Sequence, residues 1–122
     1  MSGKTIKFEV RNIRKKKSFN IELSDKSTLL NLHQNIIELS KLSWEHSFSF
    51  FMSDKFWDEK NEYAGNPFDS GRTKTLLSKL NLKTNDIFLY LHDYGSESRF
   101  KITVLSIVRS PLKSNSKPNN AK

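Results

Sequence analysis

Two stretches near the start of the chain alternate apolar and polar side chains with a period of two. Ile6, Phe8 and Val10 stand against Lys7 and Glu9, and Phe19, Ile21 and Leu23 stand against Asn20 and Glu22. An extended strand sends successive side chains to opposite faces, so each stretch reads as a strand with one buried face. Between them Ile13 is the one apolar residue from Asn12 to Lys17, which makes this segment a hairpin connection with Arg14, Lys15, Lys16 and Lys17 at an exposed tip.

The next segment supplies a cover for that hairpin. Ser24, Asp25, Ser27 and Thr28 are short oxygen side chains able to accept bonds from the free amides of a first helical turn. Leu29, Leu32, His33, Ile36 and Leu39 then recur at helical spacing on one face. Each buried aliphatic there contributes about 1.5–3 kcal/mol before entropy is subtracted, enough to dock a helix on the strand pair.

Farther on, His46, Phe48, Phe50 and Met52 read as a third strand. Residues 53–71 mix Asp, Lys, Asn, Gly and Pro with Phe56, Trp57, Tyr63 and Phe68 and show neither period, so they read as a long loop. Leu76, Leu77 and Leu80 mark a short second helix, and residues 87–91, apolar or aromatic on both faces, an interior strand. A turn at Asp93, Tyr94 and Gly95 leads to a last strand holding Phe100, Ile102, Val104, Leu105 and Ile107. The expected fold is α+β: a mixed or antiparallel sheet of about five strands, one long helix across a face and a second short helix.

A chain of 122 residues with 35% apolar content suits a single domain, expected over residues 1–108 and followed by a tail, 109–122, too polar to order itself. No stretch is long and apolar enough for a membrane span or a secretory signal, so a soluble, cytoplasmic protein without membrane attachment is expected. The absence of cysteine removes disulfides, thiolate catalysis, zinc ribbons and iron–sulfur clusters together.

The net charge of +8 is unevenly placed. Residues 1–17 hold seven Lys or Arg against Glu9 alone, and residues 109–122 hold four, among them Arg109, Lys113 and Lys117, with no acid. Residues 18–108 carry ten basic and twelve acidic side chains, so the body is slightly acidic and the surplus sits in two appendages.

Motifs for chemistry are sparse. Four glycines, at Gly3, Gly65, Gly71 and Gly95, make no phosphate-cradling loop, and no cofactor is expected. The three histidines, His33, His46 and His92, lack the spacing of metal ligands, and no metal site is expected. If their elements converge, His33, His46 and Asp93 are the candidates for a shared proton or a metal-assisted reaction; the plainer reading is an edge histidine donating to a backbone carbonyl and an Asp holding a turn.

Thr28-Leu29, Leu32-His33 and Ile36, then Trp44 with His46 and Phe50, then Phe88, Tyr90, Asp93, Tyr94 and Gly95 resemble the plasmid pRiA4b ORF-3-like family, whose domain is also named as a TnpR-type passenger of insertion elements. The resemblance covers about Thr5 to Val108. It implies the α+β fold above, a bacterial setting and an association with plasmids or mobile elements, and it supplies no activity. The family pattern continues after the glycine with acidic residues, a Trp and a His; here Ser96, Glu97, Ser98, Arg99 and Phe100 stand there, so of a histidine-built site this chain keeps His33, His46 and Asp93.

The leading expectation is a non-enzymatic binding module in which Arg14, Lys15, Lys16 and Lys17, together with Arg109, Lys113 and Lys117, contact DNA or RNA. One alternative is a protein-interaction domain using Phe56, Trp57, Tyr63 and Phe68. The other is an acid–base or metal-assisted enzyme using His33, His46 and Asp93.

Overall fold

The computed structural model describes residues 3–109. The two alternating stretches form β1 (Lys4–Asn12) and β2 (Lys17–Ser24), paired antiparallel with Ile6 opposite Leu23, Phe8 opposite Ile21 and Val10 opposite Phe19. The connection is a four-residue turn held at its base by Asn12, whose carbonyl accepts from the Lys16 amide at 2.8 Å and whose Oδ1 accepts from the Lys15 amide at 2.9 Å.

Helix α1 (Leu29–Ser40) starts where the capping chemistry is strongest. Thr28 accepts from the Asn31 amide, and the Asn31 side chain accepts from the Thr28 amide in return. Leu29, Leu32, His33 and Ile36 are buried against the sheet, whereas Leu39 is 53% exposed, so the buried stripe ends one turn before the spacing predicts.

Four further strands follow: β3 (Phe48–Phe51), β4 (Glu62–Gly65), β5 (Ile87–His92) and β6 (Ser98–Arg109). They complete one sheet in the order β2-β1-β6-β5-β3-β4, with antiparallel pairing throughout. This corrects the expected count from about five strands to six and removes the mixed option. The added strand, β4, lies inside the stretch read as a loop: its sequence Glu-Tyr-Ala-Gly has no apolar alternation and acquires its strand form by pairing with β3.

The expected second short helix is corrected as well. Two 3-10 turns, Gly71–Lys74 and Leu77–Lys79, stand in its place. The amides of Leu77 and Ser78 bond to the carbonyls of Ser27 and Asp25, so this segment is tied across to the approach of α1 rather than coiled on itself. Gly71 is needed at its start: φ is +55° there, and a Cβ would run into the Ala64 carbonyl.

Strand β5 is interior, between β6 and β3, as its two-sided apolarity predicts. Phe88 and Tyr90 face the helix and join Phe8, Phe48, Phe50 and Phe100 in the main core. Leu89 and Leu91 face the other way and form a second buried cluster with Phe51. Residues 53–58 close that second face: Phe56 packs on Phe51 with ring centroids 6.1 Å apart, and Trp57 lies 5.8 Å from Phe51 and 5.1 Å from Tyr94. On β6 an irregularity places Phe8 opposite Val104 but Lys7 opposite Ser106, so Leu105 bulges outward and Ile107 returns to the helix side.

Candidate functional site

The sheet has two ends, and the register decides what each collects. His92 pairs with Ser98 and with Phe48, Phe48 pairs with Gly65, and the Ile13 amide donates to the Arg99 carbonyl at 3.0 Å. One end therefore gathers the β1–β2 turn, the turn through Asp93, residues 41–47 and residues 66–70. Lys4 pairs with Arg109 at the opposite end.

The basic candidates separate accordingly. Arg14, Lys15, Lys16 and Lys17 are all exposed at the first end. Arg11 stands directly opposite Lys101 on the neighbouring strand, and Arg14 and Lys15 share with Asn12, Glu97 and Arg99 the walls of an open groove of about 400 Å³. Glu97 is tied to Arg99 at 2.5 Å. Arg109 lies at the far end of β1, eight residues and about 26 Å along the strand. Lys113 and Lys117 fall outside the described residues.

The histidines do converge, although nothing in their spacing required it. His33 on α1, His92 at the end of β5 and His46 before β3 form a row, with ring centroids 6.5 Å apart from His33 to His92 and 5.6 Å from His92 to His46. His46 Nδ1 is 3.7 Å from Asp93 Oδ2. Each member has work within the fold. His92 Nε2 donates to the Ser43 carbonyl at 2.7 Å, fixing the segment that carries Trp44. Asp93 accepts from the amides of Gly95 and Ser96 and from the Ser96 hydroxyl; the hydroxyl bond is the largest cause holding its carboxyl below the usual range.

His33 is stacked on Phe48 with nearly parallel rings 3.5 Å apart, and its Nδ1 lies 2.7 Å from the Tyr90 hydroxyl. Tyr90 is fully buried, and burial raises it, so the phenol keeps its proton. That O–H has no other acceptor among the described bonds, and leaving it unpaired would cost about 1–3 kcal/mol. Tyr90 therefore donates to Nδ1, and the imidazole proton sits on Nε2. Burial, with His92 as a smaller cause, pushes His33 down to about 3, so the ring is neutral at ordinary pH.

Among the described residues only Ser40 Oγ is a wholly buried side-chain polar atom without a partner. The unbonded Nε2–H of His33 is thus reached from outside. His33 lines a groove of about 360 Å³ between α1 and residues 66–70, which Trp44 and Phe68 also line. Among the described residues no group of three His, Asp or Glu is placed to hold a metal ion.

The aromatics of residues 53–71 divide. Phe56 and Trp57 cover the second face as described, and Arg99 lies 4.7 Å over the Phe56 ring. Tyr63 packs on the main core beneath Arg72, and Phe68 alone is wholly outside, at 97% exposed. Three contributors were not assigned to a site from the sequence, although Trp44 and Tyr90 helped carry the family resemblance: Trp44, 63% exposed beside the groove; Tyr90, which sets the His33 tautomer; and Ser49, whose hydroxyl donates to Glu62 and lies 2.6 Å from the Tyr94 hydroxyl. Tyr90 and His92 share the inward parity of β5, the one signal in the sequence that placed them together.

The model of the plasmid pRiA4b ORF-3-like protein family matches residues 3–120. The crystal structure of a protein of unknown function from Methanosarcina mazei Go1 is similar in fold, with a TM-score of 0.67 at 18% sequence identity over 93% of this chain. This chain spans 65% of that protein's length. No curated protein matches it. Among the described residues no helix is long and apolar enough to cross a membrane.

Proposed function

This chain belongs to the plasmid pRiA4b ORF-3-like family, and from that premise we propose that it is a non-enzymatic module that binds nucleic acid through the β1–β2 end of its sheet. The observation that carries the reading is the display of Arg14, Lys15, Lys16 and Lys17 on a turn pinned by Asn12, with Arg11, Arg99 and Lys101 beside it. Directly opposed like charges such as Arg11 and Lys101 are unfavourable in a sheet. Lys16 moreover takes a left-handed φ of 57°, where glycine would be less strained. A polyphosphate supplies the countercharge that the protein does not, since the one acid lining this groove, Glu97, is engaged by Arg99.

Residues 1–108 are the binding domain in this reading, and residues 109–122 a basic extension. Arg109 lies at the other end of the sheet from the hairpin, and Lys113 and Lys117 belong to the same basic extension.

The test is binding to single-stranded and duplex DNA across a salt series. Each phosphate neutralised adds about −0.7 (single strand) or −0.9 (duplex) to the slope of log K against log salt, so Lys15→Ala, Lys16→Ala and Lys17→Ala together should make it shallower by about 2–3. Absence of salt-dependent binding at low ionic strength, or an unchanged slope in the triple variant, would overturn the reading.

A further inference from the structure

Large aromatic side chains are expensive to leave in water, and two of them flank one groove here. Trp44 is 63% and Phe68 97% exposed, and both line the groove whose wall includes His33. The backbone beneath each is held. Phe68 sits at the tip of a tight turn in which Asn66 Oδ1 accepts from the amides of Phe68 at 2.8 Å and Asp69 at 2.9 Å, while the Asn66 amide donates to the Asp69 carbonyl. Trp44 follows Ser43, whose carbonyl is fixed by His92. Aromatic planes presented on fixed backbone lose little freedom when something stacks on them.

Among the polar groups of the groove lining is His33, whose Nε2–H is set by the Tyr90 bond to Nδ1. The one acid lining the groove, Asp69, has Oδ1 occupied by the Gly71 amide at 2.8 Å. The groove and the basic turn share one end of the sheet, at its two edges: five interstrand spacings, or about 24 Å, separate β2 from β4. That span suits a few nucleotides, with phosphates at the turn and bases at the groove.

We propose that Trp44 and Phe68 form a base-stacking site for single-stranded nucleic acid, with His33 Nε2–H donating to an acceptor on a stacked base. The site rests on the nucleic-acid reading above and deepens it. Bases in a duplex are stacked on each other and offer no free face, so the aromatic groove selects single strands while the basic turn serves either form.

The experiment measures binding of a fluorescent thymidine oligomer of about 15 nucleotides, and of a duplex of equal length, to full-length protein. Wild type should prefer the single strand. Trp44→Ala and Phe68→Ala should each weaken single-strand binding about ten-fold, leave duplex binding and the salt slope unchanged, and keep the thermal midpoint of wild type; Trp44→Phe should restore most of the loss. If both alanine variants bind like wild type while the triple lysine variant loses salt-dependent binding, the stacking site is wrong and the hairpin reading stands. A preference for duplex also removes the stacking site, and no salt-dependent binding by wild type removes both.

Discussion

As the pH falls from about 6.5 towards about 4, the domain will lose roughly 1.4 kcal/mol of stability per pH unit through His33 alone. The sign follows from which state binds the proton. An unfolded histidine titrates near 6.5, whereas buried His33 resists protonation down to about 3. Between those values the unfolded state holds one more proton, so stability rises with pH, is complete above about 6.5 and falls as the solution is acidified. The groups facing His33 act in the same direction or stay neutral: burial lowers His92 as well, and Tyr90 remains a phenol. Asp93, held low by its turn bonds, adds acid lability of its own as it is protonated. Urea midpoints across this range measure the slope, and His33→Gln isolates the cause. Glutamine keeps an acceptor for Tyr90 and does not titrate, so the variant should lose about one proton's worth of slope. An equal slope in both proteins would show that His33 is not the linked group.

Phe50→Ala will be the most damaging single truncation, costing about 3–5 kcal/mol. Phe50 is fully buried at the centre of the main core, 4.9 Å from the Tyr90 ring and 6.2 Å from that of Phe88. Its neighbours lie on strands whose backbones are hydrogen-bonded on both sides, so the core cannot collapse into the space. A domain with only about 5–15 kcal/mol to lose would be left near the limit of folding. Denaturant titration measures the loss, and a cost under about 1 kcal/mol would contradict the assignment of this ring to the core.

What was legible in the sequence was whatever consecutive residues state by their pattern: one-sided alternation, helical spacing and the two-sided apolarity of residues 87–91. The alternation at Ile6, Phe8 and Val10, and again at Phe19, Ile21 and Leu23, states a strand directly, and the Leu29, Leu32, His33, Ile36 spacing states a helix face. Features made by long-range pairing were not legible. β4 is four residues without alternation, recruited by β3, and the Leu77–Lys79 turn has amides captured by Ser27 and Asp25. What covers the second face was hidden for the same reason: Phe56 and Trp57 return over Phe51, Leu89 and Leu91.

The site divides along the same line. The charge of the hairpin tip is written in consecutive residues and needs no fold to be seen. Its separation from Arg109 depends on β6 pairing antiparallel beside β1, a contact between strands far apart in the chain. The histidine row likewise depends on His92 pairing with Phe48 while α1 lays His33 over that ring. Trp44 and Phe68 stand in unpatterned segments, and their sharing of one groove is a consequence of where α1 and β4 end.

The central claim is that one end of this sheet holds nucleic acid. Backbone amide shifts of the isotopically labelled full-length protein, followed by NMR while a thymidine oligomer is added at low salt, test it most directly. The predicted result is progressive shifts centred on Asn12, Arg14, Lys15, Lys16 and Lys17, on Ser98, Arg99 and Lys101, and on the turns carrying Trp44 and Phe68, with smaller shifts in the basic extension, Asp25 and Asn85 unmoved and every shift reversed by added salt. No shifts, or shifts centred on the Lys4 and Arg109 end, would contradict it.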